Sequence, residues 1–436
     1  MAFEPVYIID GARSPFLKAR KARGPFSASD LAVQAGRELL LRQRFTPQDI
    51  DEVIIGCAAA TPEESNIGRV IALRLGCGDQ VPGWTVMRNC ASGMQALDSG
   101  LTSIHTGRSQ LVLAGGTDAL SRTPLLISED MTQWLATWDS QPTLFHKLAT
   151  LKQLRPAFLK PVIGLLKGLT DPVTGLSMGQ TAENIAHQFD ITRAEMDAYA
   201  VQSHQRALAA QAAGAFSEIV PLTDAAGRLY EVDDGVRPDS SPERLANLKP
   251  VFDPPWGNIT AGNSSQVTDG AALLLLASQA AVDRWGLRPL GRIVDVQWAA
   301  LDPAFMGLGP VHAATPILTR HGLGLNDLDL WEINEAFAAQ VLGCVAAWND
   351  EAWCREHLHC GALGTLDMAR LNVDGGAIAL GHPVGASGAR LTLHLLNALR
   401  ARGLHRGMVA LCVGGGQGGA MLIETCQQEG GHEPYI

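Results

Sequence analysis

Charged residues are scarce in this chain of 436 residues, because Asp, Glu, Lys and Arg together make up 18% of it, against about 25% in an ordinary soluble protein. Aromatic residues account for only 6%, and there are eight cysteines. Eight cysteines are too few to form a disulfide scaffold in a chain of this length. No run of about 18 uncharged apolar residues occurs, so no membrane-spanning helix is predicted. The low charge content predicts that much of the surface is covered by a further structural layer or by another subunit.

Basic residues are outnumbered as well, with 34 Lys and Arg against 44 Asp and Glu and a net charge of −10. Nucleic-acid binding requires a concentrated basic surface, so no nucleic-acid partner is expected. The first residues, MAFEP, lack the basic segment and the apolar core of a secretory signal peptide. We therefore expect a cytoplasmic protein, or one of the mitochondrial matrix if the source is eukaryotic, although no transit peptide is seen.

Apolar residues and glycine are abundant. Hydrophobic residues make up 46% of the chain, which excludes a disordered protein. Its length corresponds to two or three domains of about 100–200 residues each. Glycine occurs 46 times, above the usual level of roughly 7%, and without the G-X-Y period of collagen. These glycines are therefore expected at turns and close backbone contacts.

Elements of the first part of the chain recur in the same order in the last part. Apolar strand candidates alternate with helical patterns, as parallel sheets require, and this predicts two homologous α/β halves. The matched stretches are 6–10 with 292–296, 49–58 with 327–336, 91–93 with 386–388, 111–116 with 408–411, and 271–276 with 420–423.

About 150 residues separate the last two matched strands of the first half. Because a structureless loop of that length is improbable in a compact protein, we predict an inserted domain. The predicted units are a first half formed by 1–116 plus 270–285, an inserted loop domain at 117–269, and a second half at 286–436.

Cys90 is the first candidate for chemistry. An apolar stretch ends just before it and a helix of small residues is predicted just after it. A thiol at a helix N-terminus lies at the positive end of the helix dipole, which predicts a lowered pKa and a larger thiolate fraction. The alternative is a buried structural cysteine, the commoner environment of a free thiol.

The stretch 372–419 holds twelve glycines in 48 residues and frames two further candidates. His382 lies in a Gly/Pro-rich loop before a predicted helix, where a neutral imidazole can accept a thiol proton. Cys412 ends a predicted strand before a glycine run whose backbone N–H groups can form an oxyanion hole. The alternative is a phosphate-binding loop or tight packing, but neither a Walker lysine nor a G-x-G-x-x-G that opens a helix is present.

Four motifs carry a resemblance to a known family: NCASG at 89–93, NEAFA at 334–338, GHPVGASG at 381–388 and CVGGG at 412–416. With these motifs in this order, the chain resembles the thiolases over essentially its whole length. The resemblance implies an α/β fold of two duplicated halves in a five-layer α-β-α-β-α arrangement, with a loop domain inserted in the first half. The internal repeat agrees with that fold.

The resemblance also implies the roles of five residues. Cys90 is the acyl-carrying nucleophile, His382 is its base, and Cys412 is the second acid/base. Asn334 holds a water that stabilises the enolate together with His382, while the backbone N–H groups of Cys90 and Gly414 stabilise the tetrahedral adduct. Without the family, Asn334 is interpreted as a helix cap or turn residue.

CoA recognition is expected in the inserted domain. By resemblance, Arg237 contacts phosphate or adenine, Ser265 contacts pantetheine and Met178 forms a wall of the acyl pocket. Phe337 is a further residue expected to bind substrate or CoA. A solvated charged loop is the alternative for Arg237. Ser177 stands where the family frequently has His, so no histidine contact to pantetheine is predicted. CoA is a substrate, and no cofactor is implied.

The predicted activity is that of an acyltransferase: cleavage of 3-ketoacyl-CoA by CoA to acetyl-CoA and a shortened acyl-CoA, or the reverse Claisen condensation. The first alternative is a biosynthetic enzyme that forms acetoacetyl-CoA with the same catalytic residues. The second is a carrier-protein condensing enzyme, against which Cys412 argues, because those enzymes use one cysteine with two His, or with His and Asn. A homodimer or homotetramer is implied by the family.

One segment has the composition of a docking surface. No acidic residue occurs from 140 to 170, whereas five basic residues alternate with apolar ones, and Pro156 and Pro161 would divide any helix. Such a segment is expected to bind a membrane surface or a fatty-acid oxidation partner. The alternative is a loop-domain surface that shapes the acyl tunnel.

The cysteines and histidines at 354–360 are too closely spaced to be the ligands of one metal ion. No metal site is therefore predicted.

Overall fold

The computed structural model describes residues 4–20 and 22–426. Within them the strands are β1 (Val6–Arg13), β2 (Leu17–Lys18), β3 (Glu52–Gly56), β4 (Gly83–Val86), β5 (Leu111–Ala119), β6 (Leu125–Leu126), β7 (Val162–Ile163), β8 (Leu222–Thr223), β9 (Leu229–Tyr230), β10 (Thr268–Ala277), β11 (Gly291–Ala300), β12 (Leu330–Ile333), β13 (Arg406–Val413) and β14 (Gln417–Thr425).

The α-helices of the described residues are α1 (Ala28–Leu41), α2 (Ile67–Arg74), α3 (Ser92–His105), α4 (Glu129–Asp139), α5 (Leu144–Leu151), α6 (Gly164–Gly168), α7 (Met178–Gln188), α8 (Arg193–Ala212), α9 (Pro242–Ala246), α10 (Gln279–Trp285), α11 (Gly309–His321), α12 (Ala338–Asn349), α13 (Glu351–His357), α14 (Ala377–Leu380) and α15 (Ser387–Ala401).

Two half-sheets meet edge to edge. Their strands follow the order β12-β13-β14-β11-β1-β10-β5-β3-β4, with β2 paired to β10. The junction is the short antiparallel pairing of β1 with β11, where Val6 lies opposite Ile293. Read outward from this junction, β1-β10-β5-β3 corresponds to β11-β14-β13-β12, with β3 parallel to β5 and β12 parallel to β13. The repeat predicted from the sequence is therefore the arrangement observed.

Apolar side chains on the two faces of the half-sheets build the layers. Leu273 of β10 belongs to a core cluster with residues of α1 and α2. Its neighbour Leu274 belongs to another cluster with α3, α15 and strands of both halves, because adjacent side chains of a strand point to opposite faces. Leu422 of β14 joins a third cluster with α11 and α12. Helices α3 and α15 thus lie between the half-sheets, and the layers run α-β-α-β-α.

The long excursion between β5 and β10 contains helices α4 to α9 and two small strand pairs. Strand β5 continues to Ala119 and β10 begins at Thr268, because Asp269 pairs with Ala119 and Gly270 with Asp118. Each predicted boundary of the insertion therefore falls two or three residues inside a strand. The division of the chain into three units stays a prediction.

A buried charge network connects the excursion to both halves. The guanidinium of Arg13 on β1 donates to both carboxylate oxygens of Asp233, at 2.7 and 2.8 Å, and to Glu218 at 3.2 Å. Glu218 also lies 3.0 Å from Nδ1 of His394 on α15. Burial acts to lower the pKa of His394, but the charge of Glu218 and the hydrogen bonds to Asp374 and Glu218 raise it to about 9. His394 is therefore protonated at neutral pH, and these fully desolvated pairs fix the excursion against the halves.

None of the helices in 4–20 and 22–426 is both long enough and apolar enough to cross a membrane.

Candidate active site

The predicted catalytic residues lie where parallel strands end. Cys90 follows β4 and precedes the first turn of α3, Asn334 directly follows β12, and Cys412 is the penultimate residue of β13. Strands β3 and β4 are parallel, as are β12 and β13. Because parallel strands end at the same edge of a sheet, each half presents its candidate residues at one edge.

A tight turn holds Cys90. The Oγ of Ser92 accepts a hydrogen bond from the N–H of Arg88 at 2.9 Å and donates to the carbonyl of Asn89 at 2.7 Å. Asn89 has a φ of +43°, in the left-handed region that Asn tolerates better than most residues. Its Nδ2 donates to the carbonyl of Gly414 at 2.8 Å. This bond joins the turn of the first half to the glycine run of the second.

Burial and backbone hydrogen bonds shift the pKa of the Cys90 thiol in opposite directions. Burial raises its pKa, whereas the backbone N–H groups of Gly414 and of Cys90 lower it by hydrogen bonding. The net pKa is raised, so the prediction of a low pKa was wrong: desolvation of the thiolate outweighs the hydrogen bonds from the two backbone N–H groups. The two N–H groups assigned to the oxyanion hole do point at this sulfur. A neutral thiol in this position needs a base.

His382 has one nitrogen held and one free. Its Nδ1 lies 2.5 Å from the Oγ of Ser387, and that Oγ donates to the carbonyl of Pro383 at 3.0 Å. Because the hydroxyl proton is directed at Pro383, Nδ1 carries the ring proton and donates to Ser387. Nε2 is buried and has no hydrogen-bond partner in the described part of the chain. This tautomer leaves Nε2 ready to accept a proton.

The charge state of His382 suits a base. Burial, with a smaller contribution from the charge of Arg390, lowers the pKa of His382 to about 4. The imidazole is therefore neutral at physiological pH. A neutral imidazole can take the proton of a neutral thiol when substrate binds, which is what general-base activation of a nucleophile requires.

Cys412 is fully buried. Burial raises its pKa well above the ordinary value, and the charges of Cys90 and Cys344 raise it further. The interaction with Cys90 brings the two predicted catalytic thiols into one site. Because Cys412 keeps its proton at neutral pH, it can act as a proton donor.

Asn334 has an unusual environment. Its side chain is fully buried, yet neither Oδ1 nor Nδ2 finds a hydrogen-bond partner among residues 4–20 and 22–426. A buried unpaired amide is unfavourable by about 1–3 kcal/mol, so this amide is placed to bind a water or a substrate atom. Helix α12 begins only at Ala338, and the helix-cap interpretation of Asn334 does not hold.

A buried carboxylate supports the chain on either side of the site. Glu335 accepts hydrogen bonds from the hydroxyls of Tyr199 at 3.0 Å and Ser203 at 2.6 Å. It also accepts from Nδ2 of Asn372 at 3.0 Å and from the N–H of Ile378 at 3.1 Å. Glu335 therefore ties the end of β12, next to Asn334, to the segment that leads into His382.

Three of the predicted substrate-binding residues lie near these groups. A Cβ on Gly414 would come within 3.3 Å of the sulfur of Met178, so this side chain borders the glycine run. The Phe337 ring packs edge-to-face on Phe252, with ring centroids 5.8 Å apart. The N–H of Ser265 donates to the carbonyl of Ala336 at 2.9 Å, beside Phe337. Their binding roles stay predictions.

Arg237 lies apart from the thiols. Its N–H donates to Nδ1 of His204 at 3.1 Å. Burial lowers the pKa of both His204 and Lys18, and the positive charge of Arg237 lowers both further. Arg237 and Lys18 thus form a positive patch suited to phosphate groups. Gln266 connects this patch to the catalytic loop, because its side-chain Nε2 donates to the carbonyl of Gly235 at 2.8 Å and its backbone carbonyl accepts from the N–H of His382 at 3.0 Å.

Sequence reasoning missed several residues that shape the site: Asn89, Asp118, Glu335 and Ser387. Asn89, Glu335 and Ser387 lie inside the motifs already singled out. Their polar side chains, which can donate or accept hydrogen bonds, were the one indication in the sequence that they support the site. Asp118 offered only one hint, a carboxylate at the end of an apolar strand. Among the described residues, no group of three or more His, Cys, Asp or Glu side chains is placed to hold a metal ion.

Comparisons with known proteins agree with this geometry. The family described as "Thiolase, N-terminal domain" matches residues 6–280, and "Thiolase, C-terminal domain" matches 287–425. A 3-ketoacyl-CoA thiolase of Yersinia enterocolitica is 36% identical over 96% of this chain and 97% of its own length. The mitochondrial trifunctional enzyme subunit beta of Bos taurus is 34% identical over 96% of this chain and 88% of its own length. The crystal structure of human mitochondrial 3-ketoacyl-CoA thiolase in complex with CoA matches with a TM-score of 0.83 at 35% identity, over 97% of this chain and 98% of that one.

Proposed function

Because the chain belongs to the thiolase family, we propose that it cleaves 3-ketoacyl-CoA with CoA, giving acetyl-CoA and a shortened acyl-CoA through an acyl-Cys90 intermediate. The family, the α/β thiolase fold and the acyltransferase class predicted from the sequence are confirmed. One observation carries the mechanism. Two neutral thiols interact with each other, and the motifs around them supply a neutral His382 with a free Nε2 and an unpartnered Asn334 amide.

In the first half-reaction, Nε2 of His382 takes the proton of Cys90, and the thiolate attacks the 3-keto carbon. The backbone N–H groups of Cys90 and Gly414 stabilise the oxyanion of the adduct. The bond between C2 and C3 then breaks, and its electron pair forms the enolate of the CoA thioester. Protonated His382 and a water held by Asn334 stabilise the enolate oxygen. Cys412 donates its proton to C2, and acetyl-CoA leaves.

The second half-reaction restores both thiols. The Cys412 thiolate takes the proton of an incoming CoA thiol, and the CoA thiolate attacks the acyl group on Cys90. As the C–S bond to Cys90 breaks, Cys90 recovers the proton held by His382. The acyl group leaves as an acyl-CoA shortened by two carbons. Both sulfurs and the imidazole end in their starting protonation states, so the cycle needs no cofactor.

The chain-length profile tests this function. We expect thiolysis of acetoacetyl-CoA and also of C10–C16 3-ketoacyl-CoA substrates, measured as kcat/KM from the loss of the 3-ketoacyl-CoA absorbance. Activity confined to C4 substrates would instead favour the biosynthetic acetoacetyl-CoA enzyme, which uses the same residues. Condensation that requires acyl carrier protein in place of CoA would contradict the proposal.

We propose that the active assembly is a homodimer or homotetramer. Strand β4 is the outermost strand of the first half-sheet, and unpaired strand edges are sites where a second chain can add. Trp84 and Met87, on and just after this strand, are exposed. We also propose a reducing compartment, the cytoplasm or the mitochondrial matrix, because oxidation of Cys90 or Cys412 would remove a group that the reaction requires.

The segment 140–170, called here the basic-apolar surface, supports a further proposal. Phe145 and Leu144 are 79% and 72% exposed, and other large apolar side chains beside them are also exposed. The basic residues of the segment form no salt bridge within the described chain. They are Lys147, Lys152, Arg155, Lys160 and Lys167. We propose that this surface binds an anionic membrane, because unpaired cations beside exposed apolar groups match a layer of acidic headgroups over acyl chains.

Co-sedimentation with vesicles tests the membrane proposal. We expect the protein to sediment with vesicles of phosphatidylcholine and phosphatidylglycerol but not with phosphatidylcholine alone. Phe145→Ser should reduce the bound fraction several-fold and leave thiolysis unchanged. Leu41→Ser is the matched control, since Leu41 is 72% exposed on α1, outside the segment. Absence of sedimentation with either vesicle would reject the proposal and leave a fatty-acid oxidation partner as the occupant, to be tested by pull-down.

A further inference from the structure

Asp118 near the end of β5 is a buried carboxylate with donors from both halves of the protein. It is fully buried. Its Oδ1 accepts hydrogen bonds from the N–H of Ala59 at 2.8 Å and the thiol of Cys57 at 3.2 Å, just after β3. Its Oδ2 accepts from the N–H of Gly385 at 2.5 Å. Gly385 lies three residues after His382, so this one carboxylate joins the first half to the catalytic loop of the second.

The catalytic loop fits closely against the first half at this point. A Cβ on Gly93 would come within 2.8 Å of the Gly385 carbonyl, and a Cβ on Gly116 would overlap it. A Cβ on Gly385 itself would lie 2.8 Å from the Asp118 carboxylate. The absence of side chains at these glycines lets the loop approach the backbone near Cys90. The carboxylate then supplies a strong, directional hydrogen bond at that contact.

We propose that Asp118 is a positioning residue for the thiolase reaction, holding the Gly385 amide so that Nε2 of His382 stays aligned with the sulfur of Cys90. The inference rests on the proposed function, because alignment of these two atoms matters only if His382 activates Cys90. Asn89 makes a similar connection on the other side of the site through its bond to the Gly414 carbonyl. Two polar contacts across the halves thus frame the nucleophile.

Asp118 also affects the nucleophile by its charge. Among the described residues it forms no ion pair, and its donors are three backbone N–H groups and the Cys57 thiol. Burial is the main cause of the raised pKa of Cys90, and the charge of Asp118 raises it further. The titratable groups near this carboxylate are the thiols of Cys57 and Cys90, with Glu64 beyond Cys57. Removing the charge of Asp118 should therefore lower the pKa of Cys90.

The isosteric variant Asp118→Asn separates positioning from folding. The carboxylate of Asp118 accepts hydrogen bonds on both oxygens, whereas the amide NH₂ of Asn can only donate. This NH₂ must therefore face one of the N–H donors, and the hydrogen bond from Gly385 or the one from Ala59 is lost. Because a misplacement of about 1 Å costs about 100-fold in rate, we expect kcat for thiolysis to fall by about that factor, with KM changed less than about threefold. Asp118→Glu keeps the charge and the acceptors, and it should recover part of kcat.

A second readout is independent of thiolysis. The rate of Cys90 alkylation by iodoacetamide, followed by mass spectrometry of its peptide as a function of pH, reports the thiolate fraction. In Asp118→Asn its midpoint should move to lower pH, whereas in Asp118→Glu it should stay at the wild-type value. Cys57→Ala, which removes one donor but keeps the carboxylate and the Gly385 contact, is the control and should retain kcat within about threefold.

The outcomes are distinguishable. A wild-type protein without thiolysis would reject the proposed function, and the alkylation profile would then show only whether Asp118 acts on Cys90. Wild-type kcat in Asp118→Asn would overturn the positioning role. A lowered kcat with an equal rise in KM would also overturn it, as would a loss of kcat matched by an equal loss in Cys57→Ala, because both indicate a general structural effect. An unmoved alkylation midpoint would overturn the effect of the Asp118 charge on Cys90. If Asp118→Asn does not fold, the test uses Asp118→Glu at wild-type thermal stability. Partial kcat with the Gly385 contact kept in its crystal structure supports the role, and unchanged kcat with that contact displaced rejects it.

Discussion

Replacement of Cys90 by Ser is expected to lower thiolysis by about 10⁴–10⁶-fold, the range seen when a covalent nucleophile is removed from an enzyme. The sulfur already has a raised pKa in the resting site, and a serine hydroxyl is far less acidic than a thiol, so an alkoxide at this position is far scarcer than the thiolate. Incubation with acetyl-CoA and intact-protein mass spectrometry should show an acetyl adduct on the wild type and none on Cys90→Ser.

The matched control is Cys360→Ser, which changes a partly exposed thiol outside the site and should leave both the adduct and kcat unchanged. Equal thermal stability of the two variants would show that Cys90→Ser is folded. An acetyl adduct formed by Cys90→Ser at the wild-type rate would refute the assignment of the nucleophile.

Cys412→Ala should separate carbon–carbon bond cleavage from acyl transfer. Loss of a positioned proton donor costs about 10²–10⁴-fold, and we expect that loss in kcat for cleavage of 3-ketoacyl-CoA. Acetylation of Cys90 by acetyl-CoA breaks no carbon–carbon bond. The CoA thiolate is a far better leaving group than an enolate and can leave without a proton from Cys412, so the adduct should still form. Stopped-flow absorbance measures cleavage, and mass spectrometry measures the adduct.

Cys344→Ala is a close control for this variant. Cys344 is also fully buried, and burial raises its pKa to about 12. It lies in the same core cluster as Cys412 and acts on it electrostatically, yet it has no part in the proposed mechanism. We expect wild-type cleavage in Cys344→Ala. Full cleavage or condensation activity in Cys412→Ala would remove Cys412 from the mechanism and restore the condensing-enzyme alternative.

The sequence was sufficient to predict the repeat and the elements that carry the motifs. The corresponding strands β3 and β12, for example, are each a short apolar run followed by turn residues, so the same pattern is visible in both halves. The charge state of Cys90 could not be predicted in the same way. Its position before α3 was visible in the sequence, but the pKa depends on how much protein surrounds the sulfur, and that is set by distant segments.

The supporting contacts could not be predicted from the sequence for a related reason. The bond between Asp118 and Gly385 joins residues 267 positions apart, and no local spacing indicates it. The free amide of Asn334 is likewise a property of its surroundings, since the same residue in a turn would be hydrogen-bonded. Conversely, the end of β5 and the start of β10 were misplaced. The pairing of these two strands continues through polar residues such as Asp118 and Asp269, where the apolar sequence pattern has already ended.

The position of β10 within the first half-sheet has a consequence for biosynthesis. In the sheet formed by the described residues, the strands beside β1 are β10 and β11, and β10 also separates β1 from β5. About 255 residues lie between the end of β1 and the start of β10, so a ribosome adding ~5–20 residues per second needs roughly 13 to 50 seconds to make the first neighbour of β1. The N-terminal strand has no strand neighbour during that time, and the edge of β5 that receives β10 stays unpaired from the synthesis of β5 onward. The excursion between them is therefore complete on the nascent chain before the half that carries it can close.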